Sequence, residues 1–410
     1  MTEKEFEKQQ KGWNKDIAED TKTSYEFFTK PENDLQALIP LLLKYQKDAD
    51  REKYDDLSDA FFTSHARWGF CGVDLSKLDL SMFSKESLAR ITFDTATKWP
   101  PKSKLPKGFN PAEILEKAKT HKGLGVEELH KQGIAGKGVK VAYFDTSFDV
   151  EHAEFNGRKI EYVSYQKNEQ YNFHGYAVVS RLVGKNTGIV PNAELTYFDS
   201  STGEDIVVII KNELKALKEI IKRLKNGENF VTIGLSGSIP CHFDIALNKK
   251  LITEEEKSKL LQEYNELLKQ LKSYDCQIIS AEEFWDSGFT YAHKVDPLTD
   301  NEDLENYAQF GRIKGQVSVV EADKVVPSAY TKNGYKYENT MGCASWSIPQ
   351  VVGLYCLAKQ VNPDITYEEF VDITKQTAHK PNKNGVRLID AVALIKEVEL
   401  SKKNENNVQV

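Results

Sequence analysis

From about residue 116 onward, short apolar runs alternate with long amphipathic stretches, and few architectures accommodate that alternation. Val139-Lys-Val-Ala-Tyr-Phe144 is a near-continuous apolar run, the mark of a strand buried on both faces of a parallel sheet. Further runs at 159–163, 194–198, 230–235, 276–280 and 316–320 predict more strands. Between them, 205–225 carries Ile206, Ile209, Ile210, Leu214, Leu217, Ile220, Ile221 and Leu224 at helical spacing. Thr253 and Glu256 form a capping-box pattern ahead of a second amphipathic helix. This order predicts an α/β domain over 116–399, with a mostly parallel sheet and helices on both faces.

Residues 1–115 read as a mostly helical N-terminal extension or accessory domain. The stretch 34–45 repeats leucine and isoleucine on one helical face, interrupted by Pro40. His65, near Trp68 and Phe70, reads as a packed histidine rather than a ligand. Trp99-Pro-Pro-Lys-Ser-Lys-Leu-Pro-Lys-Gly108 cannot continue a helix and reads as a linker. Residues 400–410 read as a polar, frayed tail.

Of 410 residues, 40% are hydrophobic and 29% charged, which describes a globular protein. No run approaches the roughly 18 apolar residues of a membrane span. The charged N-terminus has no apolar signal region. A net charge of −7 argues against nucleic acid or an anionic membrane as partner. The five cysteines (71, 241, 276, 343 and 356) form no Cys-x-x-Cys pair, so neither a zinc site nor a disulfide framework is indicated. Reduced thiols and a cytoplasmic location are the expectation. No pattern specifies an oligomeric state.

Three polar residues stand where chemistry is favoured. Asp145 ends the buried strand, and ligands of α/β sheets gather at the carboxyl ends of strands. His174 opens a short helix, and Gly175 reads as a small neighbour that admits a substrate. Ser345 follows the small-residue turn Gly342-Cys-Ala344 and opens a helix with Pro349 in its first turn, where no N–H bond is lost. Each alone is as well explained as a cap or turn former. Cys343 is a rival nucleophile, placed inside the turn rather than at the helix start. Together, Asp145, His174 and Ser345 form a possible triad in the order Asp, His, Ser.

Four blocks resemble the subtilisin-like serine peptidases (subtilases). They are Gly136-Lys-Gly-Val-Lys-Val-Ala-Tyr-Phe-Asp-Thr-Ser147, His174-Gly175 with Gly188-Ile-Val-Pro191, Ala344-Ser-Trp-Ser-Ile-Pro-Gln-Val-Val-Gly353, and Gly385-Val-Arg-Leu-Ile-Asp-Ala391. The resemblance implies a subtilisin-like fold and a triad of Asp145, His174 and Ser345. It also implies peptide-bond hydrolysis through an acyl-enzyme, a peptide or protein substrate, and no cofactor. Subtilases often bind calcium, but no Asp-rich loop here demands it, so no essential metal is expected.

The departures fall elsewhere. Gln350 replaces a common histidine, and Tyr176-Ala177 follows the His-Gly pair. Most subtilases place an oxyanion-hole asparagine after a buried strand, whereas Cys276–Gly288 contains none. Loss of one such donor costs on the order of 10²–10³ in turnover. Glu282 or Glu283 is a candidate substitute if protonated. By resemblance, Leu235, Ser236 and Gly237 on one side, and Ser280 with the following residues on the other, would flank an extended peptide. Glu282 or Glu283 would then favour basic side chains. The competing expectations are a weak or inactive scaffold that binds peptides, and a zymogen restrained by residues 1–115.

Overall fold

The computed structural model describes residues 70–408, except 73, 90, 121–122, 166–170, 201–204, 297, 309–315, 321–323, 328–332 and 339–343. The helix read at 34–45 and the histidine at position 65 therefore lie outside the described residues.

The described N-terminal part is aromatic rather than mainly helical. A one-turn helix α1 (Lys85–Ala89), the short strand β1 (Phe93–Asp94) and helix α2 (Pro111–Thr120) surround a cluster of Phe70, Leu75, Leu80, Phe93 and Phe109. Trp99 sets its ring edge-to-face against Phe70, Phe93 and Phe109, at centroid distances of 5.8, 5.4 and 5.2 Å. In the Trp99–Gly108 stretch, expected to be a linker, Trp99 and Leu105 pack against this cluster while 101–104 stay exposed. Its prolines limit it to one 3-10 turn at Lys102–Lys104, while Trp99 supplies the aromatic contact.

After α3 (Val126–Lys131) comes a five-stranded sheet of β2 (Lys140–Asp145), β3 (Lys159–Ser164), β4 (Glu194–Asp199), β5 (Thr232–Leu235) and β6 (Gln277–Ile279). All its pairings are parallel, in the order β3-β4-β2-β5-β6. The α/β expectation holds, and five of the expected strands appear within two residues of their bounds. Alternation along the central strand divides the core. Val141 and Tyr143 join a cluster with α4 (Phe173–Val183), while Ala142 and Phe144 face α5 (Ile206–Lys225), α6 (Ile239–Asn248) and α7 (Glu254–Lys272). The fully buried Val141 and Phe144 each contribute roughly 1.5–3 kcal/mol of transfer free energy. The capping box expected at Thr253 and Glu256 opens α7.

The sixth expected strand lies elsewhere. After α8 (Ala281–Asp286), a second sheet of order β12-β9-β7-β8 joins β7 (Phe289–Lys294), β8 (Tyr307–Ala308), β9 (Val317–Val320) and β12 (Arg387–Leu388). A third, antiparallel sheet joins β1 to the hairpin of β10 (Lys324–Pro327) and β11 (Tyr335–Glu338). Tyr337 of β11 is fully buried in the N-terminal aromatic cluster. Helices α9 (Ala344–Val361), α10 (Tyr367–Thr377) and α11 (Ala391–Val408) complete the chain. The stretch read as a frayed tail continues α11 to Val408.

Strand order positions the site. The chain leaves β2 towards β3 on one side, returns at β4, then crosses β2 to reach β5. Such a reversal opens a crevice outside the carboxyl ends of the central strands, where Asp145 ends β2.

Candidate active site

Asp145 is only 5% exposed. Its Oδ1 accepts from the Thr146 backbone N–H at 2.7 Å and the Thr146 hydroxyl at 3.1 Å. The same oxygen lies 2.6 Å from Nδ1 of His174. Against an ionised carboxylate, which only accepts, Nδ1 carries the proton and Nε2 is left as the basic nitrogen. Burial pulls the His174 pKa down, but the charge of Asp145 and its hydrogen bond outweigh that and hold it above the ordinary histidine value. The neighbouring Asp199, aligned with Asp145 across β4, is engaged by the hydroxyls of Ser164 (2.9 Å) and Tyr162 (3.2 Å).

His174 occupies the second position of α4, whose N-cap Asn172 accepts from the His174 backbone N–H at 2.9 Å. Gly175 explains how the helix start comes so near the strand end. A Cβ there would fall 2.2 Å from the Thr146 carbonyl oxygen and 2.8 Å from that of Ser147. Its N–H donates to the Thr146 hydroxyl at 3.0 Å. The small neighbour expected to admit a substrate instead admits the protein's own backbone. Tyr197 fixes that backbone from below, its hydroxyl donating to the Thr146 carbonyl.

Ser345 lies in the first turn of α9 and is half-buried. Gly342 and Cys343 lie outside the described residues. Pro349, expected in the first turn, is the sixth residue of the helix. A residue there normally donates to the carbonyl four positions back, which is that of Ser345. Proline has no such N–H, and the Ser236 hydroxyl supplies the bond, donating to the Ser345 carbonyl at 2.7 Å. The Ser345 hydroxyl donates back to the Ser236 carbonyl at 3.2 Å. Tyr143 on the central strand completes the chain, its hydroxyl 2.6 Å from that of Ser236. Burial pushes the Tyr143 pKa far up, which keeps it a neutral donor. Gly234 makes room for that ring, since a Cβ there would fall 2.3 Å from it.

Asp145 and His174 are thus in direct contact. Ser345 is tied through Ser236 to β5, whose Leu235 is paired with Phe144, the residue before Asp145. Helices α4 and α9, which carry His174 and Ser345, pack against each other.

The expected second wall of a cleft differs from its expectation. Ser280 was read as the start of an extended segment, but it is the N-cap of α8 and almost fully buried. Glu283 accepts from its backbone N–H at 3.1 Å and from its hydroxyl. That reciprocal cap starts a helix at Ala281 and commits the Glu283 carboxylate to it. The Gly237 carbonyl, expected to face a peptide, accepts from the Ala281 N–H at 3.0 Å. Leu235 is buried within β5. Glu282 is half-buried, and burial raises its pKa. A hydrogen bond from Ser238 opposes that shift, while the charges of Glu283, Asp286 and Asp244 add to it. Its carboxyl therefore bridges from α8 towards the cap of α6.

A second acid–imidazole pair escaped the sequence reading. His242 Nδ1 lies 2.8 Å from Oε2 of Glu213, which is completely buried. The available signal was Glu213 itself, a charge on the apolar face of α5 between Ile210 and Leu217. Burial pulls the His242 pKa down, and the hydrogen bond and charge of Glu213 raise it further than that. Among the described residues, no group of three or more His, Cys, Asp or Glu side chains could hold a metal ion. No described helix is long and apolar enough to cross a membrane.

No protein-family model and no curated protein matches the chain. Its structure is similar to solved subtilisin-like proteins over about two-thirds of its length. A PatG macrocyclase solved in complex with a peptide is 13% identical, covering 67% of this chain and 95% of its own, with a TM-score of 0.44. The prenylagaramide maturation protease PagA is 13% identical over 67% of this chain and 98% of its own, with a TM-score of 0.42. Fervidolysin from Fervidobacterium pennivorans, a keratinolytic enzyme related to subtilisin, is 13% identical, covering 70% of this chain and 48% of its own, with a TM-score of 0.46.

Proposed function

We propose that the protein is a serine endopeptidase working through an acyl-enzyme. Ser345 is the nucleophile, His174 the general base and then acid, and Asp145 the orienting carboxylate. The observation that carries this is the 2.6 Å contact between His174 and Asp145, at the sheet edge where Ser236 holds Ser345. With Nδ1–H given to Asp145, Nε2 can take the Ser345 proton. The imidazolium so formed keeps its partner, the interaction that already raises the resting pKa.

For the oxyanion, the Ser345 backbone N–H is one donor, at a helix start where such groups have no intrahelical partner. Glu282 in its protonated form is the other candidate, since burial favours that form and Glu283 is held in its cap. Cys241 does not compete as a nucleophile. Burial pushes its thiol pKa up, and the charges of Asp244 and Glu282 add to that.

The test is labelling with a fluorophosphonate and hydrolysis of fluorogenic peptides, by wild type and Ser345→Ala. Wild type should label and turn over, and the variant should do neither. Equal activity in both would overturn the assignment. One observation favours a scaffold with little turnover: the Ser345 hydroxyl already donates to the Ser236 carbonyl. That alternative predicts peptide binding by both proteins, with no labelling of either.

A further inference from the structure

Tyr143 and Asp145 stand two residues apart on β2, so their side chains leave the same face of the sheet. That face is the one covered by α4 and α9, where Tyr143 clusters with Val178 and Val352. Asp145 serves His174 from there, and Tyr143 reaches the serine side of the site. On β5, Gly234 pairs with Tyr143 and Leu235 with Phe144, and Ser236 follows at the strand's end. The Tyr143 ring lies across Gly234. A Cβ there would fall 2.3 and 2.4 Å from Cε2 and Cδ2 of the ring, and 3.1 Å from Val352. Gly234 has no positive φ, so the ring requires this glycine and the backbone does not. Glycine inside a paired strand weakens the strand. What it admits here is a phenol whose oxygen lies 2.6 Å from the Ser236 hydroxyl.

We propose that Tyr143 is a positioning residue for the nucleophile: its hydroxyl sets the direction of the Ser236 hydroxyl, which in turn holds the backbone of Ser345 at the start of α9. This rests on the peptidase assignment. Ser236 has a single hydroxyl proton to give. With Tyr143 donating to the Ser236 oxygen, that proton is left for the Ser345 carbonyl, 2.7 Å away. The Ser345 hydroxyl closes the link by donating to the Ser236 carbonyl at 3.2 Å. Three hydrogen bonds thus run from the central strand to the first turn of α9. One strand then registers both arms of the site, His174 through Asp145 and Ser345 through Tyr143 and Ser236. A buried phenol that only satisfies its own hydrogen bond matters for stability alone. One that positions Ser345 also sets the rate of the folded enzyme.

Tyr143→Phe keeps the ring over Gly234 and removes only the hydroxyl. The experiment compares wild type, Tyr143→Phe, Ser236→Ala and the double variant. It reads the rate of fluorophosphonate labelling per folded molecule, kcat and KM on a fluorogenic peptide, and denaturant unfolding. Tyr143→Phe should label and turn over about 10-fold more slowly, with KM unchanged. Ser236→Ala should be at least as slow. Adding Tyr143→Phe to it should cost nothing further, because the phenol acts through Ser236. Folded Tyr143→Phe with labelling and kcat within about twofold of wild type overturns the proposal, whatever its stability. A second loss of the same size in the double variant overturns it too. If Tyr143→Phe does not fold, Tyr143→Met, which fills the space with a flexible apolar chain, serves in its place and must be slowed likewise. Wild type that neither labels nor cleaves removes the peptidase assignment, and this proposal with it.

Discussion

Two carboxylate–imidazole pairs stand at the same edge of the sheet, and they differ less in themselves than in their surroundings. Asp145–His174 and Glu213–His242 both set Nδ1 against a buried carboxylate, at 2.6 and 2.8 Å. Both histidines are half-buried, and both have pKa values raised by their partner against the opposing pull of burial. His174 stands at a helix start pressed onto the end of the central strand, on a helix packed against the one that carries Ser345. His242 stands beside the Gly237 segment, its ring edge 3.7–3.8 Å from where a Cβ on that glycine would lie. The same device can orient a base or settle a buried carboxylate such as Glu213, and the helix packed beside the imidazole distinguishes the two.

The largest expected effect separates the pairs directly. Asp145→Asn should lower kcat by about 10⁴-fold, because an amide at that position favours the wrong imidazole tautomer. Glu213→Gln should leave kcat on the same peptides within about threefold. Comparable losses in the two variants, measured by steady-state kinetics, would place both pairs in the chemistry.

Gly175→Ala comes next. A Cβ 2.2 Å from a carbonyl oxygen forces α4 away from β2, and a displacement near 1 Å at a catalytic group costs on the order of 10²-fold. Stability should also fall, by about 1–3 kcal/mol, read from denaturant unfolding. Full activity would mean that the approach of helix to strand does not set the His174–Asp145 geometry.

Ser236→Ala should have a smaller effect. It removes the donor to the Ser345 carbonyl that Pro349 cannot supply, at about 1–3 kcal/mol of stability. Restoring a backbone donor with Pro349→Ala in the same chain should recover part of that loss. No recovery would show that the two positions are not coupled.

The smallest expected effect is in the pH profile. A protonated His174 cannot accept the Ser345 proton, so activity falls on the acid side of its pKa. Because that pKa is raised, the acid limb of kcat/KM should bend above the usual value of 6.5. In Asp145→Asn the raising charge is gone and burial remains, so the limb should move to lower pH. An unmoved limb would assign it to another group, His242 being the first to examine.

Much of this was legible in the chain because it is local. The run from Val139 to Phe144 announces a two-sided buried strand, and the carboxylate that follows it must stand at the sheet's edge. Thr253 and Glu256 announce a helix start, and that helix is present. The same pattern stands at Ser280 with Glu283. Read as a capping box, it would have replaced the extended wall by a helix. Other features depend on partners far away in sequence. Trp99 and its neighbours looked like a linker because prolines signal interruption. Trp99 packs on Phe93, whose ring in turn meets Tyr337, more than two hundred residues later.

The sequence by itself determined the strands and helices that alternate along the chain, and the three polar residues standing at their ends. Those follow from side-chain periodicity and capping, which act over a few residues. Only the tertiary structure decided what those ends touch. It sets Gly175 against the Thr146 carbonyl, turns the Ser236 hydroxyl to the carbonyl that Pro349 leaves open, and pairs Glu213 with His242. Each of these is a contact between segments brought together by sheet order. A hydrogen bond or a close approach is specified by the position of both partners, and local sequence specifies only one.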